Sequence, residues 1–134
     1  MPFYASIPLV ILLPLLVFLS HVILIVLVGV ETIDEYGIDK LVHVAGGCTI
    51  SISIAGIWWH LVYRQIVVLK DAIVFRALIF GSLCFVVISW EICEFIIGFQ
   101  PEYLTYSDTI LDMICGLMGG VLALILTRRF KSFD

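Results

Sequence analysis

Four apolar blocks, each about long enough to cross a bilayer, occupy most of this 134-residue chain and leave only short polar stretches between them. They run from about Ile7 to Val30, Lys40 to Leu61, Ala72 to Ile97 and Asp108 to Thr127. A membrane-crossing helix needs about 20 residues. In hydrocarbon every backbone N–H and C=O must be satisfied by the chain itself, so runs of this length become helices. The shorter, alternating segments of a membrane barrel do not fit them. The predicted fold class is all-α: an integral membrane four-helix bundle with short loops, forming a single transmembrane domain over residues 1–134. Composition agrees, with 63% hydrophobic and 13% charged residues and a mean hydropathy of +1.21.

The first block is longer than the 7 to 15 apolar residues of a typical signal core. No Lys or Arg precedes it and no small-x-small cleavage pattern is evident, so it is expected to be retained as a helix. Pro8 falls in its first turn, where a missing N–H is harmless. Pro14 lies deeper and is a candidate bend, tolerated where a neighbour satisfies the freed backbone group.

Basic residues give the chain a predicted direction. Arg64, Lys70, Arg76, Arg128, Arg129 and Lys131 make up six of the seven, all in or beside the second loop or after the fourth block. With four crossings, that loop and both termini share one side, and the excess of positive charge makes it cytoplasmic. The stretches ETIDEYGIDK and GFQPEYLTYSD are acidic, contain only Lys40 as a basic residue, and are expected to be extracytoplasmic. Trp58, Trp59 and Tyr63 would mark the inner interface, and Trp90, Tyr103 and Tyr106 the outer one. The expected location is the inner (plasma) membrane, as a multi-pass protein among membrane lipids. A net charge of −4 without a basic patch argues against a nucleic-acid partner. The four cysteines form no CxxC pair and read as small hydrophobes.

Against this background the ionisable residues inside or at the ends of the blocks are costly. A charged side chain at mid-bilayer costs about 2.5 to 3.5 kcal/mol on insertion scales, so it needs a partner, a wet cavity or a function. Asp39 and His43 are four apart, Glu91 and Glu94 three apart, and Asp108 and Asp112 four apart, so each pair shares a helix face. The predicted direction sets all three pairs at the outer side. Asp39, Glu94 and Asp108 are expected near the interface, with His43, Glu91 and Asp112 roughly 5 to 6 Å deeper. Asp34 reads as a loop residue, His21 as a further candidate for the pocket, and His60 as an inner-interface anchor. Small residues follow the acids: Gly46, Gly47 and Ser51 after His43, and Cys115, Gly116, Gly119, Gly120 and Ala123 after Asp112. Gly116 and Gly120 form a GxxxG spacing that permits close helix contact.

Carboxylates gathered in one pocket need something positive. Lys40, a shared proton and a divalent cation are the three candidates. Hard oxygen ligands with an imidazole suit Mg²⁺, Mn²⁺ or Zn²⁺. His43, Glu91, Asp112 and Asp39 are the candidate metal ligands. Glu91, Glu94 and Asp108 are the candidate catalytic residues, and Lys40 is the candidate substrate contact. Neither HExxH nor an EF-hand loop is present.

The segments DKLVHVAGG, WEICEF and SDTILDMICGLMGG, taken in that order, resemble the YjdF-like inner-membrane proteins and, more distantly, the VanZ-like membrane family. The resemblance covers roughly residues 34 to 125 and rests on Asp39, Lys40 and His43, then Trp90, Glu91, Glu94 and Phe95, then Asp108, Thr109, Asp112 and Gly119. Similarity to the VanZ-like group implies a cell-envelope role; its usual Asn in the fourth segment has no clear counterpart here.

Three functions are compatible with the sequence. The first is a metal-dependent enzyme acting on a lipid phosphate or another envelope intermediate. The second is a small ion- or proton-coupled carrier, for which four helices would call for a homodimer. The third is a structural or accessory protein whose acidic rim docks an envelope protein partner.

Overall fold

The computed structural model describes residues 7–97 and 106–126. Its elements are α1 (Ile7–Val28), α2 (Val30–Glu35), α3 (Ile38–Tyr63), α4 (Ala72–Ile97) and α5 (Tyr106–Leu126), and among the described residues there is no strand. All of these except α2 are long and apolar enough to cross a membrane. Tyr103, Thr127, Arg128, Arg129 and Lys131 lie outside the described residues.

The expected first loop contains the short helix α2. Gly29 (φ 84°) and Gly37 (φ 63°) bracket it in left-handed backbone that glycine enters without a Cβ penalty. The Tyr36 and Gly37 N–H groups donate to the Thr32 and Asp34 carbonyls and close its last turn. Ile33, 1% exposed, anchors α2 against α1 and α3. Helices α3 and α5 begin two residues earlier than the apolar pattern suggests, because Ile38 and Tyr106 already adopt helical backbone.

The centre of the fold is α3, which touches every other helix. Its closest approach is to α5, and small residues explain it. A Cβ on Gly47 would run into the Gly116 backbone, and one on Gly119 into the Val44 backbone. Gly120 faces α4 instead, where a Cβ would meet the Leu83 side chain. The tight α3–α5 contact therefore uses Gly116 with Gly119, and the second glycine of the GxxxG spacing serves the α4 contact. Towards the α3 C-terminus, Ala55, Phe75 and Ile79 form a buried cluster flanked by Trp58 and Trp59. Trp58 Nε1 donates to Ser82 Oγ at 3.3 Å, and Trp59 packs edge-on against Phe75. The α4 N-terminus is capped by Asp71, whose Oδ1 accepts from the Ile73 N–H at 2.6 Å.

Helix α1 continues through Pro14. Proline at position 14 removes the N–H that would bond the Val10 carbonyl four residues back. Ser53 of α3 supplies the missing donor: its Oγ lies 2.5 Å from the Val10 carbonyl oxygen and 2.8 Å from that of Thr49. The backbone of one helix is thus completed by a side chain from the next.

Helices α1 and α4 each pack against α3 but make no direct backbone contact with one another. Phe18 and Trp90 meet across the gap, with ring centroids 5.7 Å apart at 81°.

Candidate functional site: two linked polar groups

The first two turns of α3 place Asp39, Lys40 and His43 beside the first two turns of α5 and the last two of α4. The tight glycine contact one turn further along α3 draws α5 close enough for direct pairing. Lys40 Nζ lies 3.1 Å from Asp39 Oδ2, 2.7 Å from Asp108 Oδ1 and 2.5 Å from Asp112 Oδ1. One ammonium thereby uses its three donors on three carboxylates. This group is half-buried: Lys40 is 24% exposed and Asp112 7%.

The second group lies towards α4 and lacks a strong cation. Glu91 is 3% exposed, and neither of its carboxylate oxygens has a hydrogen-bond partner. The imidazole of His43 is the nearest polar group of opposite potential charge, with Nδ1 3.7 Å from Glu91 Oε1. Ligand atoms of His43, Glu91 and Glu94 lie within 4.8 Å of one another. Asp39, His43 and Asp112 form a second set at the same spacing.

His43 joins the two groups. Its Nε2 lies 3.5 Å from Asp39 Oδ1 and 3.9 Å from Asp112 Oδ1, while Nδ1 turns towards Glu91. His21 of α1 approaches the same Asp39 oxygen, with Nε2 at 3.7 Å. The sequence left its membership open; geometrically it sits at the rim of the site. His60 is in the last turn of α3, among the residues following Trp58 and Trp59.

Glu91 and Asp112 are buried and Asp39, Glu94 and Asp108 less so, while contacts divide the same side chains in a second way. Asp39, Asp108 and Asp112 gather round Lys40, whereas Glu91 and Glu94 face His43. Across the expected upper and lower tiers, contacts sort the acids sideways, between α5 and α4, because Lys40 reaches acids on two successive turns of α5. As a consequence Lys40 is enclosed by acids within the first group, and Asp108 is held by it.

Below the second group, an apolar cavity of about 330 Å³ opens between α1, α3 and α4. His21, His43, Trp90 and Glu91 form one end, and Pro14 and Ile50 line the wall further along. No sequence signal marked this cavity, since apart from its polar end the lining consists of residue types that any membrane helix carries. Gly46 lines it, and a Cβ there would meet nothing within 4 Å.

Comparisons with protein-family models, with curated proteins and with solved structures gave no match.

Proposed function

We propose that this chain is a multi-pass membrane protein whose polar centre binds a divalent cation and acts on a lipid phosphate or another cell-envelope intermediate at the extracytoplasmic leaflet. In this reading both termini and the loop after α3 face the cytoplasm, in keeping with the distribution of Lys and Arg. The order of Asp39, Lys40 and His43, then Glu91 and Glu94, then Asp108 and Asp112, supports kinship with the YjdF-like and VanZ-like families and a cell-envelope role.

The observation carrying the proposal is Glu91, a buried carboxylate with both oxygens unpartnered beside a histidine and a second carboxylate. A buried anion needs compensation. Asp39, Asp108 and Asp112 all pair with Lys40, whereas Glu91 and Glu94 do not, so His43, Glu91 and Glu94 are the set we assign to a cation. Mixed imidazole and carboxylate donors favour Mn²⁺ or Zn²⁺ over Mg²⁺. Nδ1 of His43 would be the ligand atom, with Asp39 beside Nε2 orienting the ring as carboxylates do behind metal-bound histidines. Bound there, a divalent cation supplies Lewis acidity towards a phosphoryl oxygen and a more acidic water. Glu94, less buried than Glu91, completes the donor set at its more open side; Asp108 is engaged by Lys40.

Manganese binding to purified protein, followed by electron paramagnetic resonance, tests the assignment. Wild type is expected to bind, with affinity at least tenfold lower in Glu91→Gln and in His43→Ala, since deleting a neighbour of the ligands alone costs about 10- to 100-fold. Unchanged affinity in Glu91→Gln, or no affinity of wild type for manganese, zinc or magnesium, overturns it. An accessory role is the second reading, favoured by the Lys40 cluster tying α3 to α5. A Glu91→Gln protein that binds no metal yet keeps full function in cells would select that reading.

A further inference from the structure

The cavity between α1 and α4 is the part of the molecule that the cation site leaves unexplained. It is continuous with that site, because His43 and Glu91 belong to both. Along α3 it extends from Val42 to Ile50, roughly 12 Å at 1.5 Å per residue. One end is polar and the rest is apolar. Such a shape suits a molecule with the same division. We infer that the cavity holds one hydrocarbon chain of a membrane amphiphile, whose polar head meets Glu91 and His43. The inference rests on the proposed function only for the reaction performed on that head.

The polar end separates an amphiphile from the other apolar occupant, a helix of a second copy: a chain with a polar head meets the unpartnered Glu91, and an apolar helix face leaves it unmet. An apolar cavity of about 150 Å³ takes benzene. A volume of about 330 Å³ accepts a longer, flexible chain. The wall also has an opening where a side chain would otherwise stand. Gly46 lines the cavity, and its missing Cβ faces space free of protein atoms. This differs from Gly47, the next residue, where the absent Cβ leaves room for the α5 backbone.

Charge selects the head. The unpartnered oxygens of Glu91 accept hydrogen bonds and offer none while ionised. A head that brings O–H or N–H groups satisfies them, whereas a free carboxylate repels them. In the absence of metal, long-chain alcohols and amines should therefore bind and fatty acids should not.

The test uses the purified full chain in detergent and metal-free buffer, with a photoreactive dodecanol as probe. Saturable labelling is expected on the peptides containing Leu15 to Phe18 and Val42 to Ile50. Dodecylamine should compete and dodecanoate should not. Gly46→Leu, which adds bulk where no protein atom stands, should reduce that labelling at least tenfold while labelling of the exposed α4 residue Phe85 is unchanged. Leu15→Trp narrows the cavity from the opposite wall and gives the same reading should Gly46→Leu fail to fold. Non-saturable labelling, or equal labelling in wild type and a folded blocking variant, overturns the inference. Equal competition by dodecanoate overturns the assignment of the head. Manganese binding measured on the same samples keeps the two proposals apart: Gly46→Leu should retain the cation while losing the chain.

Discussion

The two sides of α3 are built differently. Towards α5 the backbones nearly touch, glycine meets glycine, and a lysine closes the polar end by contacting three aspartates. Towards α1 and α4, which do not meet each other, a cavity fills the space between them, and a buried glutamate has no hydrogen-bond partner. Adjacent glycines that both line the cavity differ in what a Cβ would meet: at Gly47 the Gly116 backbone, at Gly46 nothing within 4 Å. The contrast teaches that small residues in a membrane helix do two opposite jobs. One lets another helix in; the other keeps space open for something that is not protein.

The strongest way to break this contrast is to put bulk on the closed side. Gly47→Leu should cost more than the roughly 1 to 3 kcal/mol usual for overpacking, because the obstacle is the Gly116 backbone and cannot rotate away. The expected outcome is loss of monodisperse protein on size exclusion, while Gly46→Leu elutes as wild type.

Removing the charge lock should come next. Lys40→Met leaves three carboxylates uncompensated and should destabilise by about 3 kcal/mol, the low end for breaking a buried pair, since the lysine is 24% exposed. Adding Asp112→Asn should recover part of that loss in denaturant titrations in detergent. A Lys40→Met protein as stable as wild type would remove the lock from the description of α3 and α5.

The four spans were legible from the sequence because length and apolarity dictate them under the demand for satisfied backbone. Helix α2 was hidden, since its charged VETIDE sequence looks like a loop and only Ile33 is fully buried. The polar faces at Asp39/His43, Glu91/Glu94 and Asp108/Asp112 could be read from helical spacing. Their division into two groups could not. It depends on how close α5 comes to α3, set by Gly47 and Gly119, and on which carboxylates a single flexible lysine then reaches. The cavity was not legible at all, because Leu15, Phe18 and Ile50 would look the same facing a ligand, a helix or lipid.

The smallest expected effect sharpens the contrast at its inner edge, where α1 meets α3. Ser53→Ala should cost about 0.6 kcal/mol, the average measured for side-chain hydrogen bonds between membrane helices, and no more than about 1.7 kcal/mol, the largest. In a Pro14→Ala background that cost should fall towards zero, because the alanine N–H can take over the Val10 carbonyl. An undiminished cost in that double-mutant cycle would detach Ser53 from the proline.

That hydroxyl ties two distant positions into one unit of inheritance. Wherever a descendant of this chain exchanges the proline of its first span for an ordinary residue, the serine on the neighbouring span loses its customer and is free to drift. Loss of the hydroxyl while the proline persists strands a carbonyl, so the two substitutions should be tolerated in one order and resisted in the other.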